Sequence, residues 1–129
     1  MEKSLVLIKP DAVERNLIGE ITSIYEKAGL KVINMRMETV SYERAVEHYK
    51  EHEGREYFKP LIEYIQRSPL VALVLEGADA ISKIRELNGA TKNPDKGTIR
   101  EMYSLSGREN SVHASDSEEN ATREIKIWF

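Results

Sequence analysis

The sequence predicts an α/β (α+β) fold in which helices cover a four-stranded antiparallel sheet. Short runs of continuous apolar residues, typical of buried strands, alternate along the chain with segments whose apolar residues recur at helical spacing. Without the loops, the predicted order is β-α-β-(αα)-β-α-β-α, which is a split β-α-β unit built twice. That order indicates a ferredoxin-like sandwich, with the helices packed on one face of the sheet.

The first two strands and the helix between them follow from apolar patterning and from two end signals. Residues 5–8 form a continuous apolar run that stops at Lys9 and the following Pro-Asp pair, so a buried strand should present Lys9 at its carboxyl end. Apolar residues between positions 17 and 28 fall on one helical face, and Gly29 is a typical stop signal for that helix. Residues 32–37 alternate like a half-buried strand.

The middle of the chain predicts three helices and one strand. Ser41 can cap a helix that runs through position 49, and residues 57–67 carry apolar side chains at helical spacing. Residues 70–75 are continuously apolar, which indicates a second buried strand. A short helix at residues 79–87 should follow, with its apolar residues on one face.

The last part of the chain combines two polar loops with a short strand and a final helix. Residues 91–98 contain an Asn-Pro pair and a glycine, which indicates a loop. A second polar loop leads to a strand at residues 111–113, and Ser117 can cap a helix that carries Glu124. No repeat or linker divides the chain, and its length suits a single domain spanning residues 1–129.

Composition and charge exclude several classes of function. The chain has 19 basic and 22 acidic residues and a net charge of −3, so no overall positive charge attracts it to nucleic acid or to an anionic membrane. It has no cysteine, which excludes disulfides, thiolate metal sites and a cysteine nucleophile. The apolar run before Lys9 is too short for a membrane span or a signal-peptide core, so we expect a cytoplasmic protein.

One histidine stands among groups that can activate it. His113 lies close in the sequence to the amide of Asn110, the hydroxyl of Ser115 and the carboxylate of Asp116, and Glu124 is within folding reach. A neutral imidazole is a good nucleophile near pH 7, and a carboxylate on its other nitrogen fixes the tautomer and stabilises the cation formed on attack. We therefore interpret His113 as the residue that carries the chemistry.

Any phosphate site in this chain must be built from side chains. Neither G-x-x-x-x-G-K-[ST] nor G-x-G-x-x-G occurs among the seven glycines, which excludes a P-loop, a Rossmann turn and a protein-kinase glycine loop. The candidate phosphate-binding side chains lie in several predicted elements: Lys9, His48, Tyr49, Arg85, Thr91 and Arg100.

A series of motifs resembles those of nucleoside diphosphate kinases, and the resemblance runs from Leu5 to Phe129. The matching segments are residues 6–13 (VLIKPDAV), 47–49 (EHY), 76–77 (EG), 89–91 (GAT), 97–100 (GTIR), 113–117 (HASDS) and 127–129 (IWF). The resemblance implies a phosphotransferase that carries the γ-phosphate of a nucleoside triphosphate, typically ATP, to a nucleoside diphosphate. It also implies a ping-pong mechanism with broad tolerance of the base.

The same resemblance implies a role for each matching residue. His113 would be phosphorylated transiently, Glu124 and Ser115 would orient its ring, and Tyr49 would lie beside the imidazole and the transferred group. The implied phosphate ligands are His48, Arg85, Thr91 and Arg100. The implied contacts to the sugar are Lys9 and Asn110, and those to the base are Tyr57 and Leu61.

The resemblance also implies a magnesium ion at the site and an assembly of several subunits. Mg²⁺ prefers phosphate oxygens and water, so it would bind mainly to the nucleotide, with Asp116 as the expected protein contact, through water. The implied assembly is a homo-oligomer, and the apolar residues 127–129 are a second reason to expect one. A hexamer is favoured, and a tetramer or dimer remains open because the loop at residues 91–98 is shorter than is usual in the family.

Two positions near the implied site depart from the family pattern. Ala114 follows the histidine where the family usually has glycine, which should restrict the backbone slightly. Tyr57 stands where the aromatic residue that stacks on the base is usually phenylalanine.

A zinc hydrolase is the rival enzyme class. Residues 48–52 fit the H-x-x-E-H pattern, with the imidazoles of His48 and His52 on one predicted helix face. Such a site needs a third protein ligand, and no residue stands out as that ligand.

A binding module without catalysis is the rival from another class. Ferredoxin-like sheets also bind RNA on aromatic strands. The predicted strands here are aliphatic, the net charge is negative, and no K/R-G-F/Y-G/A-F-V-x-F/Y run occurs.

Overall fold

The protein folds around one four-stranded sheet. The structure, a computed structural model, describes residues 1–129. The strands are β1 Glu2–Ile8, β2 Lys31–Glu38, β3 Leu70–Gly77 and β4 Val112–Ala114. The helices are α1 Pro10–Glu14, α2 Ile18–Lys27, α3 Tyr42–His48, α4 Phe58–Gln66, α5 Ala80–Asn88, α6 Ile99–Tyr103 and α7 Glu118–Trp128, and a 3₁₀ turn covers Lys50–His52. The strand order is β2-β3-β1-β4 and every neighbouring pair is antiparallel, which confirms the predicted sheet.

Helices cover both faces of the sheet, so the expectation of helices on one face is wrong. Successive residues of β1 point in opposite directions, and each face joins its own core. Val6 and Ile8 pack in a cluster with residues of α2 and α5, whereas Leu5 and Leu7 pack in a second cluster with residues of α3, α4 and α7. This double burial explains why the strand is continuously apolar rather than alternating.

The predicted helix ends agree with the structure. The Ser41 hydroxyl accepts a hydrogen bond from the backbone nitrogen of Arg44, and the Ser117 hydroxyl accepts one from that of Asn120. Gly29, which follows α2, has a φ of 90°. Such caps satisfy backbone groups that the first or last turn leaves without partners.

Two short helices were not predicted, and both lie beside candidate site residues. α1 begins at Pro10 because proline suits the first helical position, so the Pro-Asp pair starts a helix directly after Lys9 instead of a loop. α6 begins after Thr98, whose hydroxyl accepts a hydrogen bond from the backbone nitrogen of Glu101, and it carries Arg100 in its first turn. Both helices therefore fix the backbone of a candidate phosphate-binding residue.

Gly89 connects α5 to the loop that carries Thr91. Its φ is 85°, and a Cβ at this position would clash with the side chain of Thr98. Its carbonyl oxygen accepts a hydrogen bond of 2.8 Å from Nη1 of Arg100. The close approach of α5 to the start of α6 therefore requires glycine here.

Candidate active site

Strand β4 and helix α7 bring His113, Ser115 and Glu124 together. The Glu124 Oε1 accepts a hydrogen bond of 2.6 Å from the Ser115 hydroxyl and lies 3.0 Å from Nε2 of His113. A carboxylate only accepts hydrogen bonds, so Nε2 carries the proton in this contact. The other ring nitrogen, Nδ1, is then the nitrogen with a free lone pair.

A strained turn holds Lys9 and Asn110 beside the histidine. Lys9 Nζ donates a hydrogen bond of 2.8 Å to Oδ1 of Asn110, and both residues are buried. Between Asn110 and β4, Ser111 has a φ of 72°, and the backbone nitrogen of Val112 donates to the carbonyl of Asn110 at 2.8 Å. These are the features of a γ-turn with positive φ, a rare and strained conformation that clusters at functional sites.

Burial also sets the charge of the lysine. Desolvation and, to a smaller extent, the Arg100 guanidinium lower the pKa of Lys9 to about 8, although Asp11 opposes this shift. An ammonium group in such surroundings gains strongly from an anionic ligand, because the protein itself offers little compensation for its lost hydration.

Two buried polar atoms near the histidine have no partner in the protein. The Arg100 guanidinium donates from Nη1 to the carbonyl of Gly89 and from Nη2 to that of Val112, both at 2.8 Å, and its Nε has no acceptor. The hydroxyl of Tyr49 is also without a partner, and burial together with the Glu124 carboxylate raises the pKa of this tyrosine. Unpaired buried donors are costly, so both atoms fit an acceptor-rich ligand.

His113 lies between two cavities. The larger, of about 650 Å³, is mainly polar, and its lining includes Arg85, Thr91, Arg100, Asp116 and Glu124. The smaller, of about 350 Å³, is lined by Lys9, Tyr49, Tyr57, Leu61, Gly107, Arg108 and His113. The ring of His113 therefore borders two different surroundings. The larger cavity contains the cations Arg85 and Arg100, and the smaller one contains the aromatic Tyr57 and the aliphatic Leu61.

Asp116 lines the larger cavity and is exposed. Its carboxylate accepts a hydrogen bond from the Asn120 amide, and this bond, with a smaller effect of Arg85, holds the pKa of Asp116 below its usual range. A single ionised carboxylate beside several cations does not make a metal cage. It does fit Mg²⁺ that arrives on phosphate oxygens and keeps its water.

His48 is the candidate whose position differs most from the expectation of a phosphate ligand. It is 4% exposed and is absent from the lining of both cavities that flank His113. Its ring stands edge-on to that of His113, with centroids 4.6 Å apart, and its Nδ1 accepts a hydrogen bond of 3.0 Å from Nε1 of Trp128.

Three further residues around the site were missed by the sequence reasoning. His52 Nδ1 lies 2.7 Å from the Tyr57 hydroxyl, Arg108 lines the smaller cavity, and Trp128 lies behind His48. The H-x-x-E-H pattern did draw attention to His52, but for zinc. Trp128 was noted only as part of the matching segment at residues 127–129, and no motif indicated Arg108; the roles of both depend on contacts across the fold.

The comparisons with known proteins agree with this geometry. The family model described as nucleoside diphosphate kinase matches residues 2–129. The chain belongs to the nucleoside diphosphate kinase family. Curated nucleoside diphosphate kinases include one from Clostridium perfringens, 64% identical over 100% of this chain and 92% of its own length, and one from Pyrococcus abyssi, 52% identical over 99% and 84%.

A solved structure extends the similarity to the fold. A crystal structure of the Aquifex aeolicus nucleoside diphosphate kinase superimposes with a TM-score of 0.95 at 35% identity, covering 99% of this chain and 94% of that one. Membership of the nucleoside diphosphate kinase family and the ferredoxin-like fold are therefore both confirmed.

The two rival functions find no support. The zinc interpretation needs the imidazoles of His48 and His52 on one helix face, but α3 ends at His48 and His52 lies in a separate 3₁₀ turn. Their Nδ1 atoms contact Trp128 and Tyr57, respectively. The RNA-binding alternative is likewise without support among the nucleoside diphosphate kinase relatives. None of the helices is both long enough and apolar enough to cross a membrane.

Proposed function

We propose that this chain transfers the γ-phosphate of a nucleoside triphosphate, typically ATP, to a nucleoside diphosphate through a phosphohistidine on Nδ1 of His113. The observation that carries this assignment is the contact of 3.0 Å between Nε2 and Glu124, which leaves Nδ1 as the nucleophilic nitrogen. The nucleotide phosphotransferase activity itself follows from family membership. The proposal concerns the residues that perform it, within a single domain of residues 1–129.

The chemical step balances without an additional reactant. The lone pair of Nδ1 forms a bond to the γ-phosphorus while the bond from phosphorus to the bridging oxygen breaks and the nucleoside diphosphate leaves with that electron pair. The positive charge that develops on the His113 ring is stabilised by Glu124, which holds the Nε2 proton. The reverse sequence, with a second nucleoside diphosphate as acceptor, regenerates the free histidine.

In this proposal the phosphoryl group is surrounded by fixed cations and by two buried hydrogen-bond donors that have no acceptor in the protein. Negative charge that spreads over the transferring group must be met by donors already in place, because reorganising them would cost energy during the reaction. The proposed ligands of the phosphates are Lys9, Tyr49, Arg85, Thr91 and Arg100. The unpaired Nε of Arg100 and hydroxyl of Tyr49 support the assignment, since both atoms otherwise remain buried without an acceptor.

The smaller cavity suits the nucleoside. Tyr57 is 44% exposed and Leu61 lies one helical turn further along α4, so together they offer a ring face and an aliphatic edge to a base. Stacking does not read hydrogen-bond patterns, which supports broad base tolerance. Lys9 and Asn110, already bonded to each other, are the proposed contacts of the sugar 3′-hydroxyl.

Mg²⁺ is the proposed cofactor, and Asp116 the residue that would hold its hydration shell. When bound, the ion would neutralise charge on the nucleotide phosphates. The carboxylate of Asp116 is kept ionised by its bond from Asn120 and lies in the cavity that contains Arg85 and Arg100.

We also propose a homo-oligomer in which the edge of the sheet at β2 forms an interface. β2 pairs only with β3, so its other edge has free backbone groups. Ile33, Met35 and Met37 are 40%, 51% and 56% exposed and alternate along the strand. An apolar edge strand of this kind readily pairs with a second copy of itself. Of the apolar residues 127–129, Trp128 is fully buried in its own chain, whereas Phe129 is 39% exposed.

Sedimentation tests the assembly. Met35→Lys should shift the protein to smaller species, whereas Met102→Lys, which changes a residue that is 44% exposed on α6, should not. A hexamer is the favoured state, and a tetramer or dimer also satisfies the proposal. A wild-type monomer at micromolar concentration would contradict it. A cytoplasmic location stays a prediction.

Brief mixing with ATP labelled at the γ-phosphate tests the central proposal. The expected product is an acid-labile, alkali-stable phosphoprotein that is absent in His113→Ala. His52→Ala is the matched control, because this histidine borders the same cavity but should leave the label on His113. Label that persists on another residue in His113→Ala would overturn the assignment.

A further inference from the structure

His48 is a buried histidine that the proposed reaction does not use directly. It ends α3, is 4% exposed, and packs edge-on against His113 with an interplanar angle of 81°. The rings of Tyr49 and Trp128 stand against it at centroid distances of 4.7 Å and 5.5 Å. The ring therefore forms part of the wall that supports the nucleophile and lies away from solvent.

The single tryptophan of the chain determines where the proton of His48 lies. Trp128 Nε1 is 3.0 Å from His48 Nδ1, and an indole N–H only donates. Nδ1 must therefore accept, which leaves the proton of the neutral ring on Nε2. A cationic imidazole would have a second N–H at Nδ1, facing the indole N–H, and would lose this bond.

Trp128 is itself held in place on two sides. Its carbonyl oxygen accepts a hydrogen bond of 3.2 Å from Nη1 of Arg36, and the guanidinium of Arg44 lies over its ring at 5.6 Å. The indole is fully buried, so it cannot turn away from His48 without disrupting the core formed with α3 and α4.

The charges around His48 also disfavour its cation. Desolvation lowers the pKa of His48 well below the usual histidine value, and neighbouring basic side chains act in the same direction: His113 on β4, Arg123 on α7, Lys9 after β1 and His52 in the 3₁₀ turn. The carboxylate that comes near is Glu124, and its Oε1 already contacts Ser115 and His113. A charged His48 would therefore compete with Ser115 and His113 for this one carboxylate.

We propose that Trp128 locks His48 as a neutral imidazole protonated on Nε2, and that His48 is a positioning residue that supports the ring of His113 without placing a positive charge beside it. The inference rests on the proposed function, in which the His113 ring becomes positively charged as its bond to phosphorus forms. A cation on the adjoining ring would oppose that charge and would compete for Glu124. The assignment replaces the expectation that His48 binds phosphate oxygens.

Nuclear magnetic resonance of the protein with ¹⁵N-labelled histidine tests the lock directly. The His48 resonances should show an unprotonated Nδ1 and a protonated Nε2, with no titration between pH 8 and pH 5.5, assigned by their loss in His48→Gln. A His48 that becomes protonated in this range, or that carries its proton on Nδ1, would overturn the proposal. This measurement needs no activity, so it is independent of the proposed reaction.

The kinetic test uses Trp128→Phe, which keeps an aromatic ring in the core but removes the indole donor. His48 can then accept a proton at Nδ1, and the ratio of the phosphorylation rates at pH 8 and pH 6 should rise over the wild-type ratio. The rise should be at most about fourfold, the factor for a histidine of ordinary pKa, because burial still lowers the pKa of His48. A ratio equal to that of the wild type would overturn the proposal.

A double variant separates protonation from loss of packing. Trp128→Phe combined with His48→Gln has no titrating side chain at position 48, so its rate ratio should return to the wild-type value even if both rates are lower. A raised ratio that persists in the double variant would show that the effect does not pass through His48, and would reject the inference. Failure of the wild-type protein to label on His113 would instead reject the proposed function.

Discussion

The side chains around His113 fall into two groups that differ in how they are held. Glu124, Ser115, Lys9 and Arg100 all form hydrogen bonds with other protein groups, and Glu124, Ser115 and Lys9 are buried. Tyr57, on the side of the smaller cavity, is 44% exposed. The first group borders the reacting nitrogen, and the second lies where the rest of the nucleotide is proposed to bind.

The difference shows which interactions must exist before the substrate arrives. Donors and charges that stabilise a transition state are effective when their geometry is fixed in advance. Contacts to the remainder of the ligand can form on binding, at the cost of ordering an exposed side chain. Substitutions in the fixed group should therefore affect the rate of phosphoryl transfer, whereas those in the exposed group should affect nucleotide binding.

Glu124→Gln should give the largest effect. It keeps the shape of the side chain but removes the anion that stabilises the charged imidazole, so the single-turnover rate of phosphorylation should fall by about 10²–10⁴-fold. Nucleotide binding should change little. Ser115→Ala is the control, because it removes a donor to the same carboxylate but keeps the charge, and its loss should be smaller. A wild-type rate in Glu124→Gln would exclude it as the orienting partner.

Gly89→Ala should be the most destabilising change among the positions that support the fixed group. Gly54 has nearly the same φ, 86° against 85°, but an added Cβ there meets nothing within 4 Å. Gly54→Ala should lower the free energy of unfolding by about 1–2 kcal/mol through backbone strain alone. Gly89→Ala should lose about 1–3 kcal/mol more, because its ψ of 168° lies in a backbone region almost restricted to glycine and because its Cβ would clash with Thr98. Urea unfolding measures both, and equal losses would contradict the close contact.

Tyr57→Ala tests how much the exposed aromatic ring contributes to nucleotide binding. Removing the ring should cost about 1–3 kcal/mol of nucleotide binding, with similar losses for adenine, guanine, cytosine and uracil diphosphates. Tyr57→Phe loses only the hydroxyl that contacts His52 and should be nearly neutral. Comparison of kcat/KM for the four diphosphates in both variants decides the matter. A loss confined to one base would mean that the hydroxyl reads that base.

The smallest effect concerns the charge of Lys9. Its pKa of about 8 means that the cation, which the phosphates need, is lost as the pH rises through this value. The kcat/KM of the wild type should therefore fall by about tenfold between pH 7 and pH 9. In Lys9→Arg the decline in this range should disappear, because a guanidinium stays protonated. An unchanged decline in that variant would assign it to another group.

The parts of the fold that depend on neighbouring residues in the sequence were predictable, and those that depend on long-range contacts were not. The cap at Ser41, the stop at Gly29 and the strand before Lys9 rest on local patterns, and each agrees with the structure. The helix at Pro10 was missed because proline both ends strands and starts helices, and its neighbours do not distinguish the two.

The candidate site shows the same division between features set by neighbouring residues and features set by long-range contacts. The proximity of His113, Ser115 and Glu124 was expected from a short span of sequence and from the family resemblance, and the structure places their polar atoms in contact. The burial of His48 against Trp128 joins residues 80 positions apart. The packing of α3 on α7 creates that contact, so no pattern around His48 alone could predict that it lines neither of the cavities that flank His113.

The double burial of β1 has a consequence for hydrogen exchange. Each face of this strand contributes to a different core cluster; one edge is paired with β3 along the whole strand, and the other is paired with β4 over residues 6–8. The amide hydrogens of residues 6–8 should exchange with solvent only when the whole molecule unfolds, whereas those on the open edge of β2 should exchange through local fluctuations. Lys9, directly after β1, donates its own backbone N–H to the carbonyl of Ser111 at 2.8 Å. The lysine therefore belongs to the last part of the protein to open.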